Sequence, residues 1–212
     1  WFDENQREKL YFKTDHHWNG IGGFEGFKTI VEQMDEVENV NWNDYKQINF
    51  DRGYFLGSYN MNLNKIIEED EIIPYVRLKN RGNYEYYKYD GKKETKGKEE
   101  DFVAIRRNEK EILYGGAYML GNACNILKIR NEDALTDKKI LILRDSYQAP
   151  TSWLFADVFS EVQLVDPRYT DKLGLSMDDI IRDSDADIVM FMYNSTDFKS
   201  MIDVIKDQRE RV

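Results

Sequence analysis

The 212-residue chain is poor in the side chains that most often build metal centres: it has one cysteine, Cys124, and two histidines, His16 and His17. A single cysteine excludes an internal disulfide and any site built from several thiolates. The scarcity of histidine confines imidazole chemistry to one dipeptide. Long apolar runs are missing too: nowhere do about 18 apolar residues follow one another, so no segment reads as a membrane-spanning helix. Nor does a basic stretch lead into an apolar one, as in a cleavable signal. Positive charge is in deficit, with 30 Lys and Arg against 40 Asp and Glu and a net charge of -10. That balance repels phosphate backbones, so no nucleic acid is expected as a partner.

What is abundant is aromatic: 14% of the chain, including 14 Tyr and 4 Trp. Such side chains combine an apolar face with a polar tip and suit carbohydrate or interface contacts as well as cores. The length fits one domain over residues 1–212 and is short for two with a linker.

Between Gly20 and Met34, the residues Ile21, Phe24, Phe27, Ile30, Val31 and Met34 recur at three- and four-residue steps, which predicts a helix with one buried face. Gly20, Gly22, Gly23 and Gly26 weaken its start. Close backbone approach beside the histidines is a reason to carry them. From about 48 to 112 short aromatic segments such as Glu85-Tyr86-Tyr87-Lys88-Tyr89 alternate with turn signals such as Asp90-Gly91, predicting a strand-rich insertion. Lys92 to Asp101 is nearly all polar and reads as a solvated hairpin tip or mobile loop.

After Lys139 the pattern becomes strand, helix, strand. Ile140-Leu141-Ile142-Leu143, Glu161 to Val165 and Ile188 to Met192 read as strands, the first and last buried on both faces. Thr151 to Phe159, Ser176 to Arg182 and Phe198 to Arg211 read as helices. The expected fold class is α/β, with a parallel sheet flanked by helices.

In such sheets ligands gather beyond the carboxyl ends of the strands, where Arg144-Asp145-Ser146-Tyr147 follows the first strand. Ser146 is therefore a candidate nucleophile, and a helix cap is the plainer alternative. A serine hydroxyl needs a base at neutral pH. The chain offers only His16 and His17, both beside Asp15, whose carboxylate can fix an imidazole tautomer. A solvated histidine pair and a metal site are the competing readings. Adjacent histidines in an extended segment point to opposite sides, so no metal is expected, and no motif calls for a cofactor. An oxyanion hole would add amide donors to the Ser146 N–H; Asn122 in Leu120-Gly121-Asn122 and Asn194 after the third strand are candidates, or turn residues. Arg168 at the same sheet edge suits an anionic sugar or Asp166. Tyr147 is a further substrate-side candidate, and Trp18 is expected to pack the His17 ring.

Thr14-Asp15-His16-His17-Trp18-Asn19 resembles the signature of the bacterial DHHW protein family, which is similar to the SGNH-hydrolase-like acetyltransferase domains of alginate acetylation proteins. Leu56-Gly57-Ser58, Gly121-Asn122 and Val165-Asp166-Pro167-Arg168-Tyr169 also look like parts of that pattern, so the resemblance spans nearly the whole chain. It implies an SGNH-hydrolase-like fold with a circularly permuted order of motifs, and a triad of Ser146 as nucleophile, His17 as base and Asp15 as its carboxylate. It implies acyl chemistry, by O-acetyltransferase or acetylesterase action, on a cell-envelope or secreted polysaccharide. An acyl donor, a polysaccharide acceptor and membrane-bound acetylation or export machinery are the partners it suggests. It further implies an extracellular or envelope location, with a membrane anchor outside the present sequence. One departure stands out: Arg144 occupies the glycine position of the SGNH Gly-Asp-Ser. With the aromatic-rich insertion, it motivates a second expectation, a non-catalytic polysaccharide-binding or assembly module of the same fold.

Overall fold

The computed structural model describes residues 4–50, 54–63, 71–99, 107–108, 111–113, 126–196 and 198–210. The chain opens with α1 (Glu4–Leu10) and α2 (Gly20–Val31). Asn19 caps α2, its side chain accepting from the N–H groups of Ile21 and Gly22. That satisfies two of the donors a helix start leaves open. Close approach at the glycines holds: a Cβ on Gly22 would lie 2.2 Å from Leu10 O. The helix stops at Val31 rather than Met34, because the last turn tightens to Gln33 N–H on Ile30 O and Met34 N–H on Val31 O.

Then come β1 (Tyr45–Phe50), β2 (Tyr54–Leu56), α3 (Ser58–Asn62), β3 (Ile73–Leu78), β4 (Tyr84–Tyr89), β5 (Glu94–Gly97), β6 (Arg107–Asn108) and β7 (Glu111–Leu113). The stretch 48–112 is strand-rich as expected, but β4 and β5 extend the main sheet. The polar stretch starting at Lys92 is correspondingly more than a loop, since Glu94–Gly97 pairs with β4 from Tyr86 to Tyr89. The remaining elements are β8 (Ile126–Asn131), β9 (Thr136–Arg144), α4 (Ser152–Val158), β10 (Phe159–Val165), α5 (Met177–Asp183), β11 (Ile188–Met192) and α6 (Phe198–Glu210).

Among the described residues the main sheet has six strands in the order β11-β9-β10-β8-β4-β5. Only β11, β9 and β10 run parallel; β8, β4 and β5 join antiparallel, which corrects the expectation of a parallel sheet. The β4–β5 turn is too short for the crossover that parallel neighbours require, so β5 returns antiparallel beside β4.

Alternation divides the sheet into two faces. Leu127, Ile129, Ile140, Ile142, Val162 and Leu164 pack with α2 and α4 in the larger core, and Ile126, Leu141, Leu143 and Val165 pack with Met177 and Ile180 of α5 in the smaller. The expected full burial of Ile188 to Met192 fails on one face: Val189 is 38% and Phe191 47% exposed. Among the described residues β11 is an edge strand, with β9 as its one ladder neighbour in this sheet. In α4 every residue is buried, Asp157 included. Burial pushes the Asp157 carboxyl up to about 7, although the Tyr84 hydroxyl donates to it and Arg81 and Arg77 lie near.

Candidate active site

The segment before α2 folds back on itself. Tyr11 and Trp18 form an isolated antiparallel bridge, Phe12 N–H donates to His17 O at 3.2 Å, and Asn19 N–H donates to Leu10 O at 2.8 Å. Inside this loop Asp15 Oδ1 accepts the backbone N–H of His17 at 2.9 Å, a turn that carboxylates readily form. The segment is therefore bent, not extended. His16 and His17 point the same way, with ring centroids 3.9 Å apart, correcting the expectation that they diverge.

His17 bridges two distant parts of the chain. Its Nδ1 lies 2.5 Å from Asp15 Oδ1, and its Nε2 lies 2.8 Å from Ser146 Oγ across 129 residues of sequence. The second oxygen of Asp15 accepts the N–H of Ser58 at 2.7 Å. Gly57 permits that contact, because a Cβ there would fall 2.0 Å from Thr14 O. Glu71 secures the other side, accepting from Thr14 Oγ1 at 2.7 Å and from the Lys13 N–H at 2.5 Å.

Burial pushes the Asp15 carboxyl up, but the hydrogen bonds from the His17 ring and from the N–H groups of Ser58 and His17 outweigh it and hold its pKa at about 2. Burial drives the His17 imidazole below its usual 6.5, against the opposing pull of Asp15. At neutral pH the consistent state is a charged Asp15 accepting a hydrogen bond from the Nδ1–H of a neutral His17, which leaves the Nε2 lone pair to accept from the Ser146 hydroxyl.

Ser146 sits in a turn just past the carboxyl end of β9, as its sequence position predicted, and three residues short of a 3-10 turn (Ala149–Thr151) that leads into α4. Asp145, fully buried, fixes that turn by accepting from Tyr147 N–H at 2.8 Å and Asn194 N–H at 2.7 Å. Tyr147 then clips the two halves together: its hydroxyl donates to His16 O at 2.5 Å, and its own carbonyl accepts the Trp18 indole N–H at 2.6 Å. Trp18 does not pack the His17 ring as expected. Its ring contact is with Tyr147 at 6.1 Å, and it fills the space over Gly26, whereas the rings of His16 and Tyr147 meet His17.

The other anticipated residues take quieter places. Asn194 follows β11 as predicted, but its side-chain oxygen accepts from the N–H and hydroxyl of Thr196, while its backbone N–H serves Asp145. Arg168 makes a two-pronged pair with Asp166, at 2.9 and 2.6 Å, the alternative to an anionic sugar. Arg144 is 3% exposed, its Nη1 3.5 Å from Asp145 O. Asn122 lies outside the described residues. Sequence reasoning gave no role to Asp145, to the Ser58 N–H or to Glu71; the first two stood inside quoted motifs, and nothing local marked Glu71.

Asp15, His16 and His17 also bring ligand atoms within 4.8 Å of one another, with His16 Nδ1 3.5 Å from Asp15 Oδ1. Yet both ring nitrogens of His17 are engaged, and His16 Nδ1 meets Ser58 Oγ at 2.8 Å. A cation would have to break the chain of hydrogen bonds that joins Asp15 to Ser146.

The fold that carries these residues is similar to that of known structures. PatB1 of Bacillus cereus with a sulfonyl adduct matches at a TM-score of 0.73 and 21% identity, covering 92% of this chain and 64% of that one. A second PatB1 structure matches at 0.75 and 23%, over 92% and 66%. A DHHW family protein from Eubacterium siraeum matches at 0.71 and 23%, over 95% and 65%. The likeness read from the motifs thus extends to the fold. This chain spans about two thirds of the length of each of these proteins. No family model and no curated protein matches its sequence.

Proposed function

We propose that the chain is a serine acyltransferase or esterase acting on O-acetyl groups of a cell-envelope or secreted polysaccharide, with Ser146, His17 and Asp15 as its triad. The observation that carries this reading is the continuous hydrogen-bonded path from Asp15 Oδ1 through His17 to Ser146 Oγ. His17 Nε2 takes the Ser146 proton as Oγ attacks the acetyl carbonyl carbon. The bond from that carbon to the donor oxygen breaks, and His17 returns the proton to the leaving oxygen. A sugar hydroxyl, or water, then yields its proton to His17 and attacks the acetyl carbon, the bond from that carbon to Ser146 Oγ breaks, and His17 returns the proton to Oγ. The Ser146 N–H, with a side-chain amide from Asn122 or Asn194, would hold the oxyanion.

Support also comes from the fold shared with PatB1, an O-acetyltransferase. Its sulfonyl adduct is the kind of product a nucleophilic hydroxyl gives with a sulfonyl electrophile. The permuted order of motifs, the envelope location, the anchor and the acetylation or export partners belong to the same reading.

The test is treatment with phenylmethanesulfonyl fluoride, followed by peptide mass mapping and release of nitrophenol from p-nitrophenyl acetate. The adduct is expected on Ser146, and Ser146→Ala is expected to lose at least about a thousandfold in rate. Labelling elsewhere, or equal release by both proteins, would replace this reading with the non-catalytic module.

A further inference from the structure

On the face of the sheet that carries α5, a cavity of about 200 Å³ opens between the β4–β5 hairpin and the segment from Leu175 to Asp183. It shares no lining residue with the triad. Its walls are Tyr89, Ile126, Leu175 and Ile180 on the apolar side and Glu94, Lys128 and Gln163 on the polar side, with Asp179 and Asp183 at the α5 rim. The hairpin is drawn tight over this region, since a Cβ on Gly91 would lie 2.3 Å from Leu173 O.

Two features define what such a cavity can bind. First, its charges are already matched: Lys128 pairs with Glu94 at 3.2 Å, and Arg182 with Asp179 at 2.5 Å and Asp183 at 3.0 Å. A charged ligand would gain little there. Second, Gln163 is only 5% exposed, and its side-chain oxygen is buried with no hydrogen-bond partner among the described residues. Alternation along β10 turns it to the cavity face, opposite Lys128 of β8. A buried amide oxygen without a donor is unfavourable, and a ligand hydroxyl would relieve that.

We propose that this cavity is a binding site for a neutral polyhydroxylated ring, a single sugar residue, separate from the triad. The ring's C–H face would lie on Tyr89, Ile126 and Ile180, and a hydroxyl would donate to Gln163. The volume suits one such ring, against roughly 30 Å³ for a water. The inference does not depend on Ser146 being a nucleophile.

Titrating the isotopically labelled protein with glucose, mannose and N-acetylglucosamine, followed by protein NMR, tests it. Saturable shifts are expected at the Gln163 side-chain amide and at Lys128, Leu175 and Ile180. Gln163→Met keeps the shape and removes the acceptor, so it should fold with an unchanged or higher unfolding midpoint and bind about five- to tenfold more weakly. Leu175→Trp, filling the mouth, should abolish the shifts. The proposal falls if no sugar gives saturable shifts at these residues, if the shifts appear only around His17 and Ser146, or if Gln163→Met binds as the parent does.

Discussion

At the scale of single residues, the site is governed by where the protons sit. Asp15 stays charged down to about pH 2, and His17 keeps its lone pair below the usual imidazole range, because burial disfavours the imidazolium more than Asp15 restores it. A base whose pKa is lowered loses function only as pH falls through that lowered value. The rate on p-nitrophenyl acetate should therefore have an acid midpoint below pH 6.5, measured as kcat/KM across pH; a midpoint above it would contradict the electrostatics described. Replacing Asp15 by Asn removes the carboxylate that orients Nδ1–H and stabilises the imidazolium. Asp15→Asn should lower kcat by at least about a hundredfold with the fold intact by circular dichroism. An activity loss below tenfold would mean that His17 is held by its neighbours alone.

Elements differ in how openly the sequence announced them. The periodic face of α2, the continuous apolar runs of β9 and β11, and the placement of Ser146 beyond β9 were legible, because burial writes a short-range pattern. Chain direction was not, since Tyr84–Tyr89 looks alike whether it closes a separate insertion or extends the main sheet. Nor could the run from Ile188 to Met192 reveal an edge strand, as all five side chains are apolar and two still face outward. In the candidate site, Asp15, His17 and Ser146 were legible as residue types in a familiar order, while their supports were not. Gly57 is the clearest case: its reason is a carbonyl 43 residues away in sequence, at Thr14. Gly57→Ala should force that backbone apart, weaken the Ser58 N–H contact to Asp15, and cost roughly 1–3 kcal/mol by thermal unfolding, with a parallel fall in kcat. Unchanged stability and rate would show that the loop yields without harm.

For the molecule as a whole, Asp157 joins the helix behind the site to the antiparallel half of the sheet through the Tyr84 hydroxyl. Its carboxyl is raised to about 7 against an ordinary 3.8, so the folded state holds this proton more tightly than the unfolded chain does. The sign follows: its contribution is fully present below the ordinary carboxyl range and is lost as pH rises through about 7. Between pH 5 and 8 this group alone should cost roughly 2 kcal/mol of stability. Asp157→Asn should flatten that slope in urea unfolding at several pH values, and an equally steep slope in the variant would assign it to other groups.

The path from His17 to Ser146 closes a loop of 129 residues. A fragment that stops before Ser146 or begins after His17 lacks one of these partners, so the proposed chemistry requires the opening segment to have docked against the strand end. Nucleophile labelling would then report on the docking of the opening segment during folding. It would also allow the function to be divided into two inert pieces and recovered by mixing them.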